Sequence, residues 1–416
     1  MIWQPIDAEQ WKAQRRGSLN DVKDIVAGII NDVSTNGDAA LFALTEKFDH
    51  QKLASLKISQ EQIDAAYEEV DDALVQSLIE AEARITAFHE LQKPKTLWLE
   101  EMEPGITLGV KTTPMERIGA YIPGGRAAYP STVLMTTVAA RVAGVKEIVL
   151  CTPPPVNPLT LVALDIAGVT EAYQIGGAQA IAAMALGTET IRPVQKIVGP
   201  GNVFVTQAKM MLRDHAEIDF PAGPSEIGVL ADDSADPAFV ASDLMAQAEH
   251  DPNAASIMIT PSQKFAEAVA EEVENQFATA ERKEIIEKAF THSGYVVTET
   301  LEEATALMND IAPEHLSIQT ADPLSTLSSI SNAGSIFIGP FTPVACGDYA
   351  SGTNHVLPTA GYAKNYSALD VNHFMKRSQV QIVTKDGLDT IGDTIENLAH
   401  AEGLYAHEKS VQLRRQ

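Results

Sequence analysis

The sequence predicts an α/β protein of two Rossmann-like parallel-sheet domains, with a helical N-terminal region and a C-terminal docking tail. Three observations carry that expectation. From Gly105 onward, short β-branched runs (ITLGV, RIGAYIP, KEIVLC, AYQIG, KIVG, EIGVL) alternate with Ala-rich helical runs that begin after Pro130, Pro158, Gly177 and Asn202. Apolar strands alternating with helices build a parallel sheet covered on both faces. A second series of the same kind runs from Ala255 through SIMIT, a charged helix near Lys264 to Lys283, YVVTE, LEEATALMNDI and GSIFIG. Polar glycine turns stand at successive strand ends: YIPGG at Tyr121 to Gly125, GGAQ at Gly176 to Gln179, and GPGN at Gly199 to Asn202. Such turns let backbone approach a ligand and aim N–H groups at an anion.

Taken in order, Asn20 to Leu91 is helical, with apolar residues at three and four spacing, and Ser59 with Gln62 forms a capping box. His50 and His89 read there as surface residues. A length of 416 residues fits two or three domains. The expected bounds are 1–120 for the helical region leading into the first α/β layer, 121–230 for the first Rossmann-like domain, 231–370 for the second α/β domain, and 371–416 for the tail. The stretch from Asp219 to Asp251 should lie across the junction of the two layers, where ligand sites form. After Val371 the chain is short and charged, a helical tail with too little apolar surface to fold alone.

Composition narrows the partners. The chain carries 30 Lys and Arg against 56 Asp and Glu, a net charge of −26, and no basic patch interrupts the excess. Nucleic acid and anionic membrane are disfavoured. The N-terminus lacks a signal-peptide core, and the most apolar stretch, Ser131 to Leu150, is interrupted by Arg141 and Lys146. Cys151 and Cys346 form no CxxC and imply no disulfide framework, as expected of a cytoplasmic protein.

Four groups of residues can carry chemistry. Gln247 and His250 in AQAEHDP stand three apart, so on a helix they project toward one point. A Gln oxygen is a poor ligand alone, but with a His nitrogen and an anionic oxygen from elsewhere it completes a site that zinc tolerates; the alternative is a solvated helix face. In IAPEHL, Glu314 and His315 are adjacent groups able to move protons near neutral pH, or else two exposed residues at the end of a helix or loop. GDYASGTNHVLPT places Asp348, Ser351, Thr353, Asn354 and His355 among permissive glycines, more donors and acceptors than a connecting loop needs. In EGLYAH, Glu402 and His407 fall within about a turn and a half of helix. GPGN is either a nucleotide-phosphate turn or a tight structural turn, since Phe204 stands where GxGxxG needs its third glycine, and no GxGxxG occurs elsewhere.

PAGPSE, AQAEHDP, APEHL, GDYASGTNHVLPT and EGLYAH, with YIPGG, GGAQAIAA and GPGN, occur in an order and at separations that resemble the histidinol dehydrogenase family over nearly the whole chain. The resemblance implies oxidation of L-histidinol through L-histidinaldehyde to L-histidine with two NAD+, the last steps of histidine biosynthesis. It implies one Zn2+ per subunit held by Gln247, His250, Asp348 and the partner subunit's His407, in a homodimer with shared sites. Glu314 and His315 match the catalytic pair. Ser225, His355 and Glu402 match substrate contacts, together with His315 and the metal ligands Gln247, His250, Asp348 and His407. Tyr121, Gln179 and Asn202 match positions that hold NAD, so 121–230 would be the NAD-binding domain and the missing third glycine is expected. His215, His292, His373 and His400 match no ligand position. The chain departs from the family pattern at Ser317 and Val344, where Glu is common; this bears on substrate positioning.

Three rivals are weighed. A relative oxidising a sulfonated propanediol would want Arg or Lys in the pocket, and the Gly347 to Thr359 block has none. A zinc hydrolase with Glu314 activating water would leave the nucleotide-like turns without a role. A catalytically silent scaffold would not need Glu314 and His315.

Overall fold

The computed structural model describes residues 2–15, 19–124 and 128–416. Its strands form three sheets. Strands β1 (Leu97–Glu103) and β2 (Ile106–Pro114) make an antiparallel hairpin, and β13 (Met375–Val383), from the far end of the chain, pairs with β2 along its whole length from Met375 opposite Pro114 to Val383 opposite Ile106. The tail therefore enters as a strand before it becomes the helices Lys385–Ala401 and Tyr405–Arg415. Only its helical part was legible. The strand MKRSQVQIV stays largely exposed, so it shows no apolar stripe.

The first parallel sheet contains β3 (Arg117–Tyr121), β4 (Glu147–Thr152), β5 (Glu171–Gln174), β6 (Lys196–Val198) and β7 (Glu217–Ile218), in the order β5-β4-β3-β6-β7. Period-two alternation splits its side chains between two cores. Ile148 and Leu150 face the helices Gln60–Tyr67, Asp72–Glu90, Pro130–Ala143 and Pro158–Ile166; Val149 and Cys151 face Lys23–Asp49, Gly177–Leu186 and Val203–Met211. Fully burying each such Val, Leu or Ile contributes about 1.5–3 kcal/mol, which is why both faces are apolar.

The second parallel sheet contains β8 (Glu226–Ala231), β9 (Ala255–Thr260), β10 (Gly294–Val297), β11 (His315–Gln319) and β12 (Ser335–Ile338), in the order β10-β9-β8-β11-β12. EIGVL, which the sequence groups with the first series, is β8 and belongs here: periodicity identifies a strand, not its partner. Both sheets begin in the middle and run outward in two directions, so the order reverses between β3 and β6 and again between β8 and β11. Open α/β sheets form crevices at such reversals. The N-terminal residues join the second sheet: Ile6 N donates to the Tyr295 carbonyl at 3.0 Å and Tyr295 N to the Gln4 carbonyl at 3.1 Å, and Trp3 and Trp11 are buried against its two faces.

Two further readings are revised. The helical stretch after Ser59 is two helices, broken where Asp71 caps the second; the Ser59–Gln62 capping box is present on the first. His89 is fully buried, not a surface residue. The helix Asp72–Glu90 packs against Pro130–Ala143, and the ring finds the Ile85 carbonyl at 2.7 Å and Asn354 at 3.4 Å. No helix among the described residues is long and apolar enough to cross a membrane.

Candidate active site

The helix Leu301–Ile311 ends because Ala312 takes the left-handed conformation (φ 52°) and Pro313 cannot continue it. The next two residues, Glu314 and His315, are thereby delivered to the amino end of β11, a central strand, where His315 stands opposite Ile227 of β8. The sequence reading of a helix or loop end missed the strand because HLSIQ buries polar side chains, Ser317 and Gln319 among them.

Glu314 Oε2 accepts the Glu226 N–H at 2.8 Å. His315 Nδ1 lies 3.1 Å from the Glu226 carbonyl. In the neutral ring that contact makes Nδ1 the donor and leaves Nε2 with its lone pair. Nε2 is buried, has no hydrogen-bond partner, and lies 3.7 Å from Asp348 Oδ1. Burial pushes Glu314 up to about 7. Burial alone would lower His315, but the Glu314 and Asp348 carboxylates outweigh it and raise it to about 9. Burial alone would raise Asp348, and His315 instead holds it below the usual carboxylate value. Two titratable neighbours with displaced proton affinities mark an acid–base site.

Asp348 lies in the turn Cys346–Ala350. Its carbonyl is 3.0 Å from His355 Nδ1, while His355 Nε2 is 3.3 Å from Thr132 of the helix Pro130–Ala143. Asn354 donates to the Met135 carbonyl at 2.7 Å, and Thr359 Oγ1 accepts the Gly223 N–H at 2.6 Å. The Gly347 to Thr359 block is therefore tied to the helix Pro130–Ala143 and to the loop before β8. Within it, Ser351 and Thr353 bond to each other. Burial keeps His355 below its ordinary value.

Gln247 closes the helix Pro237–Ala248, and His250 follows one turn on, its amide bonded to the Gln247 carbonyl at 3.3 Å. His250 sits at the open rim, yet the protein around it lowers its proton affinity; Asp348 opposes that shift and His315 adds to it, which places all three in one electrostatic neighbourhood. Gln247 is buried and its Nε2 has no partner. An unsatisfied buried N–H donor costs about 1–3 kcal/mol, so this end of the side chain fits an acceptor, and the amide oxygen is the atom with lone pairs for a metal. Among the described residues, no three or more His, Cys, Asp or Glu side chains gather at metal-ligand spacing. The expected set supplies two of these types here, His250 and Asp348, with an amide as the third donor. Glu402 and His407 are exposed on the tail, and the hydrogen bonds seen for them are local to it. Ser225 precedes β8 and is half-buried.

The glycine turns converge at the carboxyl edge of the first sheet. The Tyr121 hydroxyl accepts the Gly177 N–H at 3.0 Å. Gln179 is buried one turn inside the helix Gly177–Leu186, and Asn202 caps Val203–Met211 by accepting from the amides of Phe204 and Val205. Gly125, the last residue of YIPGG, lies outside the described residues. GPGN is held by a buried ion pair that sequence reading did not single out: Lys209 bonds Asp219 and the Gly199 carbonyl, and Asp219 accepts the Gly199 N–H at 2.8 Å. Gly199 has φ +111°, and a Cβ there would collide with the Tyr121 carbonyl oxygen. Gly199→Ala should cost about 1–3 kcal/mol, read by chemical denaturation.

The histidinol dehydrogenase family model matches residues 12–415. The chain belongs to that family. Histidinol dehydrogenase of Methanosarcina barkeri is 52% identical over 413 residues, covering 98% of this chain and 95% of that protein. The Vibrio cholerae histidinol dehydrogenase is 44% identical over 421 residues, covering 100% and 97%. The crystal structure of histidinol dehydrogenase from Elizabethkingia anophelis superposes with a TM-score of 0.93 at 40% identity, covering 99% of this chain and 94% of that one. The resemblance read from the sequence and the α/β fold read from its strand and helix alternation are both borne out. Two residues, one within and one near the histidinol dehydrogenase motifs, escaped the sequence reading. Glu226 opens the apolar strand β8 from within PAGPSE, and a charge in that position has to be paired when buried. Asp243, one turn before Gln247, is pushed up to about 6 by burial despite hydrogen bonds from Val344 and Ser317.

Proposed function

We propose that the protein oxidises L-histidinol through L-histidinaldehyde to L-histidine with two NAD+, depends on zinc, and acts as a cytoplasmic homodimer. One observation supports the reading: in a chain of this family, the orphaned Nε2 of His315 lies 3.7 Å from Asp348 Oδ1, and both act electrostatically on His250.

Gln247, His250 and Asp348, with His407 of the partner subunit, would hold the metal. A zinc ion there would orient the substrate through its amino and imidazole nitrogens, and NAD held near Tyr121, Gln179 and Asn202 would accept the hydride. His315 accepts the alcohol proton at Nε2 as the C–H bond gives up its electron pair, which leaves the aldehyde. Glu314, poised near neutrality, takes a proton from water as that water adds to the aldehyde carbon. A second loss of hydride then gives the carboxylate. Ser225, His355 and Glu402 would contact the substrate.

The homodimer is supported by apolar side chains left exposed in the single chain: Trp98, Leu99 and Met102 on β1, and Leu398, Leu404 and Tyr405 on the tail beside Glu402 and His407. A cytoplasmic location fits the two free cysteines. The deciding assay is NADH formation from L-histidinol run to completion. Two NADH per substrate, abolished by a chelator and restored by zinc, is the expected result. One NADH would remove Glu314 from its role, and none would overturn the substrate.

A further inference from the structure

Glu226 is the residue on which both members of the catalytic pair rest. It stands one position ahead of the β8–β11 ladder, which begins with Ile227 opposite His315. Its N–H donates to Glu314 Oε2 at 2.8 Å, and its carbonyl, which the ladder turns toward β11, also faces His315 Nδ1 at 3.1 Å. The Glu226 carboxylate is anchored in turn. Oε1 accepts from Arg15 Nη1 at 2.7 Å, and the carboxylate also receives the Ala360 amide. Arg15 Nη2 donates to the Ile311 carbonyl at 2.9 Å, the last residue of the helix that delivers Glu314. The guanidinium is stacked on Trp11, 4.4 Å from the ring centroid.

We propose that Arg15 and Glu226 are positioning residues for the oxidation, a buried clamp from the N-terminal segment that holds the Glu226 peptide and the end of the helix Leu301–Ile311 so that Glu314 and His315 meet the substrate in register. The inference rests on Glu314 and His315 being the acid–base pair.

Stability alone is a poor reason for such a clamp. The side chains of Arg15 and Glu226 are 6% and 1% exposed, and removing two charges from water costs several kcal/mol per ion, so apolar residues of similar volume often serve stability as well or better. What an ion pair supplies and an apolar contact does not is direction. Arg15 has donors at fixed angles for two acceptors, Glu226 and Ile311, on separate elements. A displacement of about 1 Å at a reacting group can cost about 100-fold in rate.

The test compares Arg15→Ala, Arg15→Lys and Glu226→Gln in the full-length zinc-loaded protein, with His315→Asn and Glu314→Gln as controls. Arg15→Ala should lower kcat by about 10- to 100-fold and leave the Kd for histidinol, measured by calorimetry without NAD, within about twofold. Arg15→Lys, able to satisfy one acceptor at a time, and Glu226→Gln, which keeps a neutral acceptor, should each fall between Arg15→Ala and wild type. Arg15 lines a cavity of about 310 Å³ with Lys12, Asp310 and Gly361, so added guanidinium can reach the vacated position and should restore part of the Arg15→Ala rate. A kcat within about twofold of wild type in Arg15→Ala overturns the proposal, as does a loss that follows unfolding and that neither guanidinium nor Arg15→Lys repairs. Should Arg15→Ala fail to fold, Arg15→Lys and Glu226→Gln decide alone: wild-type kcat in both overturns it. If His315→Asn and Glu314→Gln remain active, the acid–base assignment has failed instead.

Discussion

His315→Asn is expected to lower kcat for histidinol oxidation by about 10²–10⁴-fold, the range over which a positioned general base acts, with the histidinol Kd little changed. Asn can keep the donor bond to the Glu226 carbonyl, now made by Nδ1, but it has no basic atom where Nε2 lies. The pH dependence gives an independent check. His315 is raised to about 9 by the Glu314 and Asp348 carboxylates, against the opposing effect of burial. Its protonated form therefore dominates at neutral pH, and the proton-accepting form grows as pH rises. The sign follows: kcat/KM for the wild-type enzyme should climb between about pH 7 and pH 9, and the residual activity of His315→Asn should lack that rise. Steady-state rates across this range decide it. A wild-type profile that falls with pH in this window would mean that His315 acts as an acid.

How much of this was legible in the sequence depends on how local each signal is. The strand and helix alternation and the capping box at Ser59 are local, and both appear in the structure, whereas the helix expected to carry Gln247 and His250 together ends at Ala248, before His250. Glu314 and His315 could be singled out by type, but their geometry could not, because it is set by a peptide from β8 nearly ninety residues away. His89 shows the same limit. Among the charges of its helix it resembles a surface residue, and it is buried only through elements remote in sequence, the helix Pro130–Ala143 and Asn354, which lies 265 positions on. Likewise β13 has an unremarkable polar sequence that becomes a strand because β2 offers it an edge. The Arg15–Glu226 pair joins positions 211 apart; the sequence could register a charge at the head of an apolar strand, but not which residue would meet it.

Subunits carrying His315→Asn and subunits carrying His407→Asn, each nearly inactive alone, are expected to recover about a quarter of wild-type activity when unfolded together and refolded as an equimolar mixture. His315 lies at the amino end of β11 and His407 lies exposed in the helix Tyr405–Arg415. If each site draws these two histidines from different protomers, a mixed dimer has one site that lacks both and one that lacks neither. Random pairing makes about half of the dimers mixed, and half of their sites are whole. If both histidines of a site came from one chain, no pairing would create an intact site, and the mixture would stay as inactive as its parents. Size measurement must accompany the assay, because loss of the dimer would also abolish recovery. The tail is suited to this arrangement: Arg415 holds Tyr405–Arg415 against Lys385–Ala401 through Asp393 and Glu396, both at 2.7 Å. That hairpin presents Leu398, Leu404 and Tyr405 outward, and a rigid exposed apolar surface is more costly to leave in water than to bury against a second copy.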